Sequence, residues 1–333
     1  MLIRSLIAGA IVLIVGWSGY WLVVSRSYKN AIVELLDDAN SSSWQTEHDA
    51  VSVRGFPNRL DARIDNLQLQ NTDWQVRWSV PWVDILSLSY RFNHAILVLP
   101  PPHSLSVEGE EFTFETLDIR SSVEFASTSS LRLERLIVEF DSAEPPQDGQ
   151  VQDSHSKTVF AVQARPEAAN IYDISLKTSN PPPAQPAASG NWNVLLLGAL
   201  LQQMDVSAKA TLRQPLDRFS CENDSLEILE LDIAKAGLPN DPSGLEVSGR
   251  LTAMENGNLE GVLRVSVQDI LAFFNQTFEL LPLSDNEAKL LELALRAIAK
   301  FDSDMALDVL LANSGVTIGW FTLKSTPIPA KIC

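Results

Sequence analysis

Four histidines, His48, His94, His103 and His155, are the residues best suited to proton transfer or metal ligation in this sequence. None forms an HExxH or another close helical pair, and a strand and a triproline separate His94 from His103. A shared metal site is not expected; solvent-exposed loop histidines are. Ser154-His155-Ser156-Lys157 has the bare S-x-x-K spacing of a serine nucleophile with a lysine base. It sits in a polar linker and lacks the SDN and KTG partners that would complete that chemistry. No GxSxG, Walker loop or GxGxxG occurs. Asp61 and Asp65 alternate with Arg59 and Arg63, the pattern of a solvated strand face. Cys221 and Cys333 have no CxxC spacing, which leaves either a disulfide in an oxidising compartment or two unrelated thiols. No catalytic residue, metal or cofactor is expected, and the chain reads as a non-enzyme.

Tryptophans offer a different kind of chemistry. Three of the eight, Trp74, Trp78 and Trp82, would share one apolar surface if a strand continues past Pro81. That surface is either ordinary core or the wall of a hydrophobic groove open to lipid. Nucleic acid is excluded as a partner, because a net charge of -17 repels phosphate and no basic stripe with interleaved aromatics occurs.

The elements that must position these residues begin with an anchor. Leu6 to Val24 carries no charge and approaches the ~20 residues a helix needs to cross the hydrocarbon core. Trp17, Tyr20 and Trp21 gather toward its far end, as interfacial aromatics do. A cleaved signal peptide would have a shorter apolar core and a small-x-small cleavage site; this run ends in Trp, Leu and Val, which favours an uncleaved anchor. Charge counting leaves its orientation open, with Arg4 and the amino terminus against Arg26 and Lys29. Tyr28, Ile32, Leu35, Leu36 and Ala39 then follow at helical spacing, an amphipathic continuation that ends at Asn40 to Ser43.

From Trp44 to about Phe140 the dominant period is two, which means strands. Leu60, Ala62 and Ile64 alternate; Leu67 and Leu69 shift parity after Asp65-Asn66, a bulge or a tight corner. Trp82 to Tyr90 reads equally as helix or strand, and Asn93-His94 reads as a turn. Pro100 to Pro102 stops a strand, and further strands are expected near 112–119 and 131–140. Residues 143–157 and 180–190 are polar and proline-rich connectors around two more strands. Beyond them come a buried helix over 192–204, alternating runs, and Asn256-Gly257, the strongest hairpin signal in the chain. Helices over about 269–280 and from Ser284 to Phe301, the latter opened by a Ser284/Glu287 capping box, precede two strands paired across Ala312 to Gly315. The expected organisation is an anchor over 1–27, a β-rich module over 28–142, strands with linkers over 143–190, and an α+β module over 191–333. The fold class is α+β, mostly antiparallel β, as extended curved sheets with a few packing helices after one N-terminal transmembrane helix.

The segment Val51 to Leu69, VSVRGFPNRLDARIDNLQL, joins two alternating runs through Gly-Phe-Pro-Asn. Gly55 admits a backbone other residues resist, Pro57 fixes its own φ, and Asn58 tolerates the left-handed region. The four make a stiff hairpin corner, with the Phe56 ring expected under the sheet. Together with WSGYW in the anchor and VPWVDILSLSYRFNHAILVLPP further on, this segment resembles a bacterial family, domain of unknown function 2125, most firmly from Trp17 to Pro102. That resemblance implies an inner-membrane-tethered periplasmic protein and supplies no activity or catalytic residue. The architecture is also similar to that of the AsmA-like envelope proteins, which are linked to lipid handling; architecture alone does not fix function. The roles in view are a membrane-anchored protein that binds lipid or another hydrophobic ligand in envelope maintenance, a scaffold that binds another envelope protein by a sheet edge, and, least favoured, an enzyme.

Overall fold

The computed structural model describes residues 2–39, 44–72, 75–107, 109–143, 155–179, 204–220, 226–237, 243–269, 272, 305–312, 315–318, 321–323 and 328–331. Residues 144–154 of the first expected connector, the connector over 180–190, the expected helix over 192–204 apart from Met204, Trp74, Cys221 and Cys333 lie outside them, as does nearly all of the expected helical region 270–304. At its start, Asp269 accepts a hydrogen bond from the Ala272 N–H at 3.0 Å, as a helix-capping carboxylate does.

Among the described residues one long helix is followed by antiparallel strands, so the α+β, mostly antiparallel class holds. Helix α1 (Leu2–Ala39) runs without a break through the apolar run and the amphipathic stretch. It is the one described helix long and apolar enough to cross a membrane. The chain divides into two compact units, Met1–Ser127 with Leu136–His155, and Thr128–Arg135 with Ser156–Cys333.

The first unit is built on two 13-residue strands, β3 (Arg59–Asn71) and β4 (Val76–Leu88). Along the free side of β3 lie β1 (Trp44–Glu47) and β2 (Ala50–Arg54), end to end. Along the free side of β4, β5 (Arg91–Leu99) pairs with Asp84 to Leu88 and β6 (His103–Val107) with Val76 to Ser79. Pro81 falls in the gap between them, where its missing N–H costs no ladder bond. Strands β7 (Glu110–Phe114) and β8 (Leu117–Phe125) extend β6 and β5, and β9 (Leu133–Ala143) follows in the chain.

The parity shift after Asp65 proves to be a corner. The β3–β4 register runs from Arg59↔Leu88 to Asn71↔Val76 with only Asn66 and Pro81 skipped, one residue on each strand. Buried residues change parity at that level on both strands, from Ile64 to Leu67 and from Val83 to Val80. Asn66 turns the chain with φ +51°, a left-handed conformation asparagine tolerates, and its side-chain amide donates to the Asp49 carboxylate. Both strands therefore bend together and keep their apolar residues on one face.

That face carries Val51, Ala62, Ile64, Leu67, Val80, Val83 and Leu99, and Ile32 and Leu36 of α1 cover it. Tyr28 and Val33 pack against the same cluster. The last turn of α1 is tied down by the Thr46 hydroxyl, which donates to the Leu36 carbonyl at 2.7 Å, one of the carbonyls a helix end leaves without an internal partner.

Trp82 to Leu88, open between helix and strand in the sequence, is strand. Two expected details differ. The turn falls at Ser89-Tyr90 rather than at Asn93-His94. Asn93 sits within β5, where its amide donates to the Phe125 carbonyl at 2.9 Å. The single strand expected near 112–119 is two strands, β7 and β8.

In the second unit β10 (His155–Arg165), β11 (Ala168–Ser179), β12 (Asp205–Leu212), β13 (Ile228–Gly237), β14 (Glu246–Ala253), β15 (Leu259–Val267) and β16 (Met305–Ala312) each pair antiparallel with the next. The β14–β15 turn is the Asn256-Gly257 hairpin, with Gly257 at φ +79°. The segment expected as one strand over 316–323 folds into a further hairpin, Gly315–Ile318 against Phe321–Leu323. Among the described residues, Leu251, Leu259 and Ala330 form one core cluster, with Ile228, Leu231 and Leu263 packed against it.

Candidate functional site

The candidate residues separate on inspection. Trp78 lies on the core face of β4 and stacks on His103, with ring centroids 5.9 Å apart and planes 8° from parallel. Trp82 follows the corner and faces the other way, opposite Asp65 in the ladder. There the Arg63 guanidinium sits 4.1 Å over its ring and pairs with Asp84 at 2.6 Å, so this is the charged strand face anticipated from the sequence. Trp78 and Trp82 do not line a common wall, because the corner inverts the strand between them; Trp74 lies outside the described residues.

Nor are the histidines a group of exposed loop residues. His103 is 1% exposed, and burial pushes its imidazole below the usual value of 6.5 despite the nearby Leu99 and Leu117 carbonyls. His94 is in β5, with Nε2 3.0 Å from the Ser122 hydroxyl. His155 and Lys157 belong to β10. His48 lines an open cleft of about 490 Å³, together with Glu47, Asp49, Asn66, Gln68 and Ser104. That lining is polar, so the cleft suits a hydrated or charged guest better than an acyl chain.

A different cluster joins α1 to the sheet. Trp17 Nε1 donates to the Pro57 carbonyl at 2.8 Å, and Trp21 Nε1 donates to the Arg59 carbonyl at 2.8 Å. The Tyr20 hydroxyl donates to the Ser89 carbonyl at 3.1 Å. Tyr28 and Ser87 share a hydroxyl–hydroxyl bond at 3.2 Å; burial pushes the Tyr28 phenol above its usual 10.0, with the Ser87 bond opposing. The Phe56 ring meets Trp21 edge to face, centroids 5.5 Å apart, and is 53% exposed. Phe56 therefore packs on the helix rather than under the sheet, because Trp21 occupies the turn's apolar side. The two turns are also locked to each other: Ser89 N–H donates to the Asn58 carbonyl at 3.0 Å. Gly55 closes the first turn at φ +107°, accepting the Arg59 N–H at 2.8 Å.

Sequence reasoning placed Trp17, Tyr20 and Trp21 at an interface but missed their partners. It also passed over Tyr90 and Phe92, exposed at 65% and 53% beside the same turns. The signal was a second aromatic cluster, Tyr90-Arg91-Phe92, next to a turn that the sequence reading puts four residues too late.

An apolar helix able to cross a membrane, continuous with the core of an antiparallel β unit, defines a β-rich protein built outward from a membrane-competent helix. Within that class the chain belongs to the bacterial family described as "uncharacterized protein conserved in bacteria (DUF2125)", which matches residues 21–327. No curated protein and no solved structure matches.

Proposed function

We propose that this is a non-enzymatic cell-envelope protein, held in the bacterial inner membrane by α1 with its β units in the periplasm, and engaging lipid or another hydrophobic ligand at the membrane surface. The observation that carries the reading is the double use of α1. Its first half is bare and apolar, while its second half supplies Ile32 and Leu36 to the core of the first unit. A cleaved leader would discard Trp17, Tyr20 and Trp21, whose polar groups are committed to the sheet. An uncleaved anchor gives those bonds a purpose. The cleft at His48 is mostly polar and both described clefts are open, so lipid engagement belongs to the membrane-side edge of the sheet rather than to a closed pocket.

Carbonate extraction and periplasmic-reporter fusions test the anchor and its orientation, and native mass spectrometry of the full chain tests for co-purifying lipid. Release by carbonate, a cytoplasmic reporter signal, or a lipid-free mass spectrum each counts against the corresponding part. A second reading rests on the polar cleft, where Glu47, His48 and Asp49 converge with Asn66 and Ser104 on a site for a polar ligand. Thermal shifts with small polar solutes, lost in His48→Ala, would favour it.

A further inference from the structure

The helix must reach far enough to cross a bilayer, and the sheet limits how much of it can. From Ile3 to Gly16 every side chain is exposed and nothing packs on the helix. At 1.5 Å per residue this bare stretch is about 20 Å long. A hydrocarbon core is about 30 Å thick. Crossing it takes roughly seven more residues, which brings the upper boundary near Val23. Trp17, Tyr20 and Trp21 lie below that level, and each is bonded to one of the two hairpin turns of the first unit. The turns are therefore carried down to the depth of the helix residues they bind.

Their side chains suit that depth. Phe56, Tyr90 and Phe92 are 53%, 65% and 53% exposed, three large aromatic side chains costly to leave in water, on two turns tied together by the Ser89–Asn58 bond. Phenyl and phenol rings are the groups enriched where headgroups meet acyl chains. The indole N–H groups of Trp17 and Trp21, which at an interface would ordinarily bond water or headgroups, instead grip the carbonyls of Pro57 and Arg59. Arg54, Arg59 and Arg91 flank the turns and are exposed, with Asp61 and Glu124 paired to the latter two. This puts the guanidinium stems near the hydrocarbon boundary, where their methylenes lie against acyl chains while the heads, two of them paired with carboxylates, reach toward the headgroups.

We propose that Phe56, Tyr90 and Phe92 insert into the interfacial layer of the same bilayer that α1 crosses, so that the two hairpin turns form a second, non-helical membrane contact. This rests on the anchor reading above and names the lipid-contacting site within it. The occupant is the bilayer itself.

The test uses the full chain with Cys221 and Cys333 replaced by Ser, reconstituted in phosphatidylcholine/phosphatidylglycerol nanodiscs. Single cysteines at 56, 90 and 92 carry an environment-sensitive fluorophore. Leu13→Cys, about 15 Å from either face of the hydrocarbon core, serves as the anchor control and is read against lipids with a nitroxide deep in the acyl chain; Thr72→Cys, just past the far end of β3, is the aqueous control. Lipids with a nitroxide near the headgroup should quench labels at 56, 90 and 92 at least twofold more than the label at 72, while iodide should quench them at least twofold less. Labels at 90 and 92 carry the test if the variant at 56, which loses its contact with Trp21, fails to fold by circular dichroism. Iodide quenching at 90 and 92 equal to that at 72, with Leu13→Cys still quenched by lipid, overturns the proposal and leaves the anchor standing; a bilayer thinned around α1 would give this result. If Leu13→Cys is not quenched by lipid, the anchor reading itself fails.

Discussion

Replacing Gly55 with valine should unlock the first hairpin turn and, with it, the grip of α1 on the sheet. Gly55 sits at φ +107°, and a Cβ there would lie 2.7 Å from Arg59 Cβ and 3.0 Å from the Arg59 carbonyl oxygen. The neighbour in the way is partly backbone, and that backbone donates the turn-closing hydrogen bond to Gly55 and accepts one from Trp21. Forcing an L-residue into such a conformation costs about 1–3 kcal/mol. Displacing packed atoms adds about 1–3 kcal/mol, and β-branching places valine at the upper end. The two terms add to about 2–6 kcal/mol, roughly 4 for valine, which at about 2–4 °C per kcal/mol lowers the melting transition of the first unit by roughly 8–16 °C. Tryptophan fluorescence of the detergent-solubilised full chain is the assay, since Trp17 and Trp21 report on this turn directly. Gly55→Ala meets the same Cβ contact and should fall between wild type and valine. A valine variant melting within about 2 °C of wild type would refute the reasoning, because neither the strain nor the contact could then be real.

Other predictions follow from the same packing. Burial lowers the folded-state pKa of His103 below its unfolded value, so the unfolded chain binds a proton first as pH falls; stability is full above about 6.5 and is lost below it at up to about 1.4 kcal/mol per pH unit. Denaturation midpoints between pH 7 and 5 should drop less for His103→Phe than for wild type. Trp21→Phe keeps the ring contact with Phe56 but deletes the donor to Arg59, costing about 1 kcal/mol, read as a melting shift of a few degrees. An unshifted melt would mean the bond contributes nothing. In the second unit, a Cβ on Gly261 would meet the Arg250 carbonyl oxygen at 2.1 Å. Gly261→Ala should therefore part β14 from β15, and faster amide exchange along those two strands is the check; unchanged protection would contradict the close approach.

Much of the strand content was legible because it rests on local alternation. Leu60, Ala62 and Ile64 declare a buried face by themselves, and Asn256-Gly257 declares a hairpin by its own backbone preference. The parity shift at Asp65-Asn66 was equally visible. Its twin at Pro81-Trp82 was not, since matching bends on two strands is a property of their pairing. That is why Trp78 and Trp82 looked coplanar in the sequence and lie on opposite faces in the fold. Asn93 was misread for a related reason: a residue common in turns used its amide to bind Phe125 across the sheet. The join between α1 and the turns was the least legible feature. Trp17 and Pro57 are 40 residues apart, and no local pattern encodes which carbonyl an indole will choose.

The unbroken helix has a mechanical consequence. A sheet hung from a flexible linker would tumble independently of its anchor. With α1 spanning the bilayer as proposed, the rod in the membrane and the rod in the core are one, braced by two turns, which makes the first unit a rigid arm on a pivot set in lipid. Membranes of different thickness tilt their spanning helices by different amounts. A tilt of about 10° would swing the far end of β3, up to about 40 Å from the turn at Arg59, through roughly 7 Å. Bilayer thickness thereby becomes a setting of the height and angle at which the sheet is presented to its surroundings.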